Sequence, residues 1–457
     1  MKFGFGALGV AFLLNAGVAS AQEQVWLQDR RFLEGKGYQV GDLELHPGLA
    51  GEFGYDSNMF HRASSEDPID VYRLRITPSL SLATAEAGKR GPGGTSQTVA
   101  FNGTVGASYN EYFARDSAEA DRVSKFRNVG ALARLELDIL PNRPWSGRLH
   151  ANLTRTIQPS NLSDTAYAYN RVHAGGGGEL IWAPGGGLFD WRLGYAYQTT
   201  IFEESRFESL NSGTHTLRTR GRWRFLPRTA FMFDASQGFT RYSNPGARTY
   251  LLDSDPLRAR LGLSGLITDR FGLLALAGWG VTFAHSGNVP VENYDGPIGQ
   301  AQLTFYPTAA PDLTGAPREA MLAVSQIGVG YTRDFADSYF GSFYTRDRGY
   351  LTVSYFFAGK LLTSLQGGIS RVHFPTLYYP AVAGAPAVQR TGPFNEQRYD
   401  ASLFAEYRLA DSVGVNTTVG YEQNDSRDLP VDPNNPAAVD DLSWQRFQAL
   451  LGVRWLM

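Results

Sequence analysis

The sequence predicts an all-β chain that closes into a transmembrane antiparallel up-and-down β-barrel of about eighteen strands, with sixteen as the alternative. Three observations predict it. Apolar and polar side chains alternate with a two-residue period, connections alternate between short and long, and aromatic residues gather at both ends of the alternating segments. The alternation is plainest in Thr214–Leu226, THTLRTRGRWRFL. Thr214, Thr216, Arg218, Arg220, Arg222 and Arg224 alternate there with His215, Leu217, Thr219, Gly221, Trp223 and Phe225. Successive side chains of a strand point to opposite faces, so the arginines form a column and the other face ends in two aromatics. A soluble sheet would turn that column to water. A barrel in lipid would turn the apolar face outward and the arginines toward a lumen.

Composition narrows the choice. The chain has 457 residues, 43% of them hydrophobic, and a mean hydropathy of -0.26, too polar for a helical membrane bundle. A net charge of -2 provides no basic field, so no nucleic-acid partner is expected. The absence of cysteine excludes disulfides, iron–sulfur ligation and a thiol nucleophile. The histidines are scattered without HExxH spacing, and neither Gly-x-Ser-x-Gly nor a phosphate loop occurs. No catalytic residue, metal site or cofactor is therefore expected.

The first 21 residues read as a secretory signal: Lys2, an apolar run from Phe5 to Leu14, and the small-x-small site Ala19-Ser20-Ala21. Residues 22–42 are polar without clear periodicity and read as a periplasmic lead-in. Residues 43–457 read as the barrel in a bacterial outer membrane.

Along that barrel, Leu45, Leu49, Phe53 and Tyr55 mark the first strand, and Tyr72, Leu74, Ile76, Leu80 and Leu82 the second. Segments at about 99–113, 126–140, 148–157, 167–182, 188–202, 214–226, 230–242 and 257–267 alternate in the same way. So do those at about 272–284, 298–306, 321–333, 343–357, 361–374, 398–409, 413–422 and 444–457. Short turns are expected at 140–144, 183–187, 226–228, 268–270, 358–360 and 410–412, with longer connections at 85–96 and 307–319 on the same side. Long polar loops are expected at 56–69, 113–125, 158–166, 203–213, 243–256, 285–297, 375–397 and 423–443. This sorting matches periplasmic turns and extracellular loops. Trp145, Trp182, Trp191, Trp223, Phe225, Phe305, Phe357 and Trp455 sit beside the short turns, while Tyr55, Tyr109, Tyr195, Tyr242, Phe283, Tyr331, Phe343, Tyr399 and Tyr421 sit beside the long loops. Two interfacial girdles account for both sets. In the last strand Phe447, Ala449, Leu451, Val453, Trp455 and Met457 share a face, the pattern that barrel assembly machinery reads, although the usual terminal aromatic is replaced by Met457.

Gly37–Phe60 (GYQVGDLELHPGLAGEFGYDSNMF) and Tyr72–Thr84, with its Pro78-Ser79-Leu80 core, resemble the β-barrel porin 2 family of Gram-negative outer-membrane proteins. The close match covers about fifty residues, and the remainder shares only the barrel pattern. The resemblance implies an outer-membrane barrel and, because several relatives are associated with exopolysaccharide secretion, export of polysaccharide.

If apolar faces point outward, parity places Arg218, Arg220, Arg222, Arg224, Arg346, Arg348, Arg73, Arg75, Arg258 and Arg260 on the pore-lining face. The column Arg218–Arg224 spans roughly 20 Å of strand. Its mutual repulsion requires counter-charge. Glu179 and Asp190 on the two preceding strands and Asp234 on the following one can make it an ion-paired wall; alternatively, the planar guanidinium forks can form an anion path. Tyr344, Tyr350 and Phe356 face inward by the same parity, as sugar-stacking platforms or plain packing. The Gly175–Gly178 run is expected to pack closely against a neighbour. Asp425, Asp428, Asp432, Asp440 and Asp441 give a solvated acidic loop, with divalent cations at the lipopolysaccharide surface as the alternative.

Three functional readings follow. The first is a channel for hydrophilic, anionic solutes, including polysaccharide, with outer-membrane lipid, lipopolysaccharide and periplasmic polysaccharide-export proteins as partners. The second is a loop-plugged structural or surface-recognition barrel, with 375–397 long enough to fold inward. The third is an outer-membrane lipid hydrolase using the outward His215, for which no serine partner is evident.

Overall fold

The computed structural model describes residues 37–84, 98–141, 143–159, 168–185, 187–243, 252–285, 290–307, 325–338, 342–378, 388–426, 429–432 and 435–457. The signal segment, most of the lead-in and the connections at 85–96 and 308–319 lie outside these residues.

Eighteen strands close the barrel. They are β1 (Leu43–Asp56), β2 (Val71–Thr84), β3 (Val99–Ala114), β4 (Asn128–Ile139), β5 (Trp145–Pro159), β6 (Ala168–Trp182), β7 (Phe189–Phe202), β8 (Ser212–Leu226) and β9 (Thr229–Tyr242). There follow β10 (Leu257–Leu266), β11 (Phe271–Val281), β12 (Asp295–Phe305), β13 (Gln326–Asp337), β14 (Phe343–Phe357), β15 (Leu361–Phe374), β16 (Phe394–Ala410), β17 (Val413–Asp425) and β18 (Trp444–Leu456). Each pairs antiparallel with the next, and β1 closes on β18 from Gly48↔Leu456 to Asp56↔Gln448. Closure joins the first strand to the last, so most of the wall satisfies its backbone groups without water. A nineteenth short strand, Tyr38–Val40, folds back on β1 as a hairpin where the sequence shows no periodicity.

Exposure follows parity. On β8, Leu217 and Trp223 are 49% and 52% exposed, while the arginines between them are half-buried on the opposite face. On β18, Phe447, Leu451, Val453 and Trp455 are exposed, while Arg446 and Arg454 are buried inward. An apolar exterior around a charged interior inverts a soluble protein, and lipid is the solvent that selects it. The outer girdle is held by hydrogen bonds: the Tyr55 hydroxyl donates to Asp70 (3.1 Å), Tyr399 to Gln397 (2.7 Å) and Tyr421 to Gln423 (2.7 Å).

Some boundaries differ from expectation. The strand expected at 321–333 runs from Gln326 to Asp337, because Arg333 and Asp334 continue the alternation into the loop side. The last strand ends at Leu456, one residue before Met457. Phe343 is not a girdle residue: it is 6% exposed and packs with Tyr294, Phe335 and Ile298 beneath a long loop. Gly175–Gly178 is close-packed as expected; a Cβ on Gly177 would lie 2.5 Å from the Tyr195 carbonyl and 2.8 Å from the His150 ring. The acidic 424–441 loop forms a hairpin of Leu429–Asp432 with Asn435–Asp440. The short turn at Ala358-Gly359 has φ of 48° and 70°, the twist that joins β14 to β15 tightly.

Candidate functional site: the arginine wall of the lumen

Register places the charges in rows. Arg192 on β7 lies opposite Arg220 on β8, Arg220 opposite Asp234 on β9, and Asp234 opposite Arg260 on β10. One carboxylate therefore sits between two guanidiniums. Asp234 accepts from Arg218 Nε at 3.0 Å and lies 3.6 Å from Arg260 Nη2. Arg220 donates to Glu179 at 2.8 Å and 3.1 Å, and Arg192 donates to Asp190 at 3.0 Å. Asp190 also faces Arg222 directly across the ladder. Glu179, Asp190 and Asp234 thus stand as counter-charges where parity puts them. The outer half continues the pattern: Arg258 donates to Asp334 (3.0 Å), Arg346 to Ser370 (3.0 Å), and Arg348 to Asp400.

The ten arginines singled out above do not share one environment. Arg73, Arg75 and Arg260 point inward but are only 4%, 4% and 3% exposed, so they brace the wall. Arg75 is held by Glu52 at 2.6 Å and Arg73 by Asn110 at 2.7 Å. Arg218, Arg220, Arg222, Arg224, Arg258, Arg346 and Arg348 keep partial exposure on the inner face. Of the inward aromatics, Tyr350 donates to Gln302 (2.9 Å), Arg408 stacks 4.7 Å over Phe356, and Tyr344 packs on Phe374. Plain packing describes these three better than open stacking platforms. On the outer wall, His215 Nδ1 shares a 2.6 Å hydrogen bond with the Tyr195 hydroxyl.

Charge pairs overlooked in the sequence lie around the closing strands. Asp56 on β1 accepts from Arg446 on β18 at 2.9 Å, fastening the first strand to the last. Arg454 and Glu406 pair at 2.6 Å with both side chains fully buried. The alternation of β18 already put Arg446 and Arg454 on the inward face. What parity does not supply is the partner, which register across the intervening β17 sets at Glu406 on β16.

At the long-loop end, apolar clusters pack loop residues against the wall. Met59, Phe60, Ile69, Val71, Tyr112 and Val123 pack together, bringing the 57–70 loop onto inner-wall residues. His61 stacks on Trp444 with ring centres 4.0 Å apart, accepts from Arg446 at 3.0 Å, and lies 3.6 Å from Glu422. Burial and the neighbouring Arg446 hold its pKa below the usual histidine value, against the opposing pull of Glu422 and Asp56. Beyond the closing seam, Leu377 and Phe394, at the base of the 375–397 loop, join Val372, Phe374, Leu429 and Leu442. Residues 379–387 of that loop lie outside the described residues.

A closed antiparallel sheet, apolar outside, girdled by aromatics and charged within, defines a bacterial outer-membrane β-barrel with a porin-type fold. No family model matches the chain and no curated protein matches it, so the family expected from Gly37–Phe60 is not established. Among solved structures, the chain is similar to OpdQ of Pseudomonas aeruginosa at 11% identity, covering 92% of this chain and 99% of that one with a TM-score of 0.43. It is similar to OccK7 (OpdD) of the same bacterium at 10% identity, covering 92% and 99%, with a TM-score of 0.44. A bacterial polysaccharide outer-membrane secretin matches at 9% identity, covering 91% and 99%, with a TM-score of 0.35.

Proposed function

We propose that the barrel is a channel for hydrophilic anionic solutes, with Arg218, Arg220, Arg222 and Arg224 as the anion-preferring wall. One observation carries this reading. Along β6–β13 the guanidiniums of Arg192, Arg218, Arg220, Arg222, Arg224, Arg258 and Arg260 outnumber the carboxylates of Glu179, Asp190, Asp234 and Asp334. The carboxylates hold the arginines extended and temper their affinity, so an anion is attracted without being trapped. Planar forks at alternating positions offer carboxylates, phosphates and sulfates successive bidentate contacts. An acidic polysaccharide is the polymeric form of such a solute, and its export is the specific role proposed, following the resemblance of Gly37–Phe60. Reversal potentials across planar bilayers test the channel. Arg222→Glu with Arg224→Glu leaves the Arg218–Asp234 and Arg220–Glu179 pairs in place and should turn anion preference toward cations. An unchanged reversal potential would remove the arginine wall from the mechanism. Polygalacturonate added on one side should block current if acidic polymers enter.

A second reading, a barrel stoppered by its own loops, draws on the packing of the 57–70 loop and the base of the 375–397 loop against Val71 and Val372. Folded protein that conducts no ions in the bilayer would favour it.

A further inference from the structure

The barrel wall is not evenly stitched. The ladder between β12 and β13 runs from Phe305↔Ile327 only as far as Gly299↔Arg333. Both strands continue for four residues toward the long loops, each paired only with its other neighbour: Asp295 with Val281, and Asp337 with Phe343. At about 3.4 Å per residue the unpaired edges face each other over roughly 13 Å. Pro297 lies within this stretch, and proline, lacking an N–H, is tolerated on such an edge.

Side chains take over the missing backbone bonds. The Tyr294 hydroxyl donates to the Pro297 carbonyl at 2.7 Å. Arg258 Nη2 donates to the Phe335 carbonyl at 2.5 Å, and the Phe335 amide donates to Asp334 Oδ1 at 2.8 Å. The seam is filled from the lumen side by rings: Tyr294 lies 4.5 Å from Phe335 and 5.6 Å from Phe343. Phe335 occupies space that only a glycine leaves open, since a Cβ on Gly280 would collide with its ring. These are rotatable side chains in place of ladder bonds, so this stretch can open without breaking sheet hydrogen bonds between β12 and β13.

Its chemistry is amphiphilic. Outside, the seam begins at the outer girdle, beside Trp279, whose indole donates to Asp295 at 2.6 Å, and beside Tyr331 and Arg333, which both bind Asp347. Directly behind the rings, Arg258 lies 4.0 Å over Phe335, and the guanidiniums of Arg218, Arg258 and Arg260 share the carboxylates of Asp234 and Asp334. Apolar packing at lipid headgroup level therefore adjoins the Arg258 guanidinium, with the Asp337 carboxylate held in the same stretch by Ser254 at 2.7 Å.

We infer that the seam between β12 and β13 is a lateral portal through which a single-chain anionic amphiphile passes between the outer leaflet and the lumen. Its acidic head meets Arg258, and its chain replaces the ring contacts of Phe335 and Tyr294. This role is separate from ion flow along the barrel axis.

The cysteine-free chain makes the test direct. Gly296→Cys and Ala336→Cys would stand opposite each other if the ladder continued. Their bridging by a bifunctional methanethiosulfonate, reversible with reductant, would pin the seam shut in full-length protein in vesicles. Transfer of dansyl-undecanoate should fall to the rate of protein-free vesicles and return on reduction, while chloride conductance is unaffected. Phe335→Ala should speed transfer. Bridged protein that transfers as fast as unbridged protein, unbridged protein no faster than empty vesicles, or a Phe335→Ala rate equal to wild type would each overturn the portal. None of these three outcomes bears on the axial channel, which the conductance reads separately.

Discussion

Replacing Asp234 with asparagine removes one negative charge from the inner wall at nearly constant volume. The carboxylate is 3.0 Å from Arg218 Nε and 3.6 Å from Arg260 Nη2, and its side chain is 4% exposed. Two guanidiniums thus lose a shared partner. A solute ion passing about 6 Å away in a water-filled lumen feels a change of roughly 332/(80 × 6), or about 0.7 kcal/mol, per unit charge. That is a gain of about threefold for anions and an equal loss for cations, so the permeability ratio should move about tenfold toward anions. Bi-ionic or gradient reversal potentials read this ratio. Screening sharpens the test: the shift should be large near 0.1 M salt, where the Debye length is about 10 Å, and small near 1 M, where it is about 3 Å. The same substitution strains the fold. The Arg260 side chain, 2% exposed, loses its nearer carboxylate and keeps Asp334 at 3.9 Å, so the variant should lose about 3 kcal/mol of unfolding free energy. Folded Asp234→Asn with a wild-type reversal potential near 0.1 M would refute the electrostatic account of the lumen.

Two further outcomes follow from buried groups. Arg454 and Glu406 are fully buried and paired at 2.6 Å, so Glu406→Gln should lower resistance to urea unfolding in micelles by about 3–5 kcal/mol. The double change Glu406→Leu with Arg454→Met should recover most of that loss, and a double variant as weak as the single one would show that the pair is not the cause. His61 has a depressed pKa in the folded loop, so the fold favours its neutral form. The stability it lends is present above its ordinary value of about 6.5 and is lost as pH falls through that value toward the lower folded one. Protease cleavage within the 57–70 loop should accelerate on acidification in wild type and lose that pH dependence in His61→Phe. Equal acceleration in both would clear His61 of any role.

Much of the barrel was legible because a strand reports its own environment. The alternation of Leu217, Trp223 and Phe225 against Arg218–Arg224 needs no distant partner to be read, and neither does that of Phe447–Trp455 against Arg446 and Arg454. Glu179, Asp190 and Asp234 could be named as counter-charges because they lie on neighbouring or nearly neighbouring strands, where register is local. Phe343 was misplaced because proximity to a loop predicts a girdle only when no loop covers the residue, and here Tyr294 and Phe335 do. Asp334 escaped notice because the expected strand stopped one residue short of it.

The sequence alone determined which face of each strand meets lipid, since period-two alternation is a property of consecutive residues. Tertiary structure decided which arginines are buried braces and which keep partial exposure on the inner face. It also decided that Asp56 meets Arg446 across the closing seam and that β12 and β13 part company beyond Gly299. Those outcomes depend on shear and on loops folding over the mouth. They join residues on different strands, 390 positions apart for Asp56 and Arg446, and no local period encodes them.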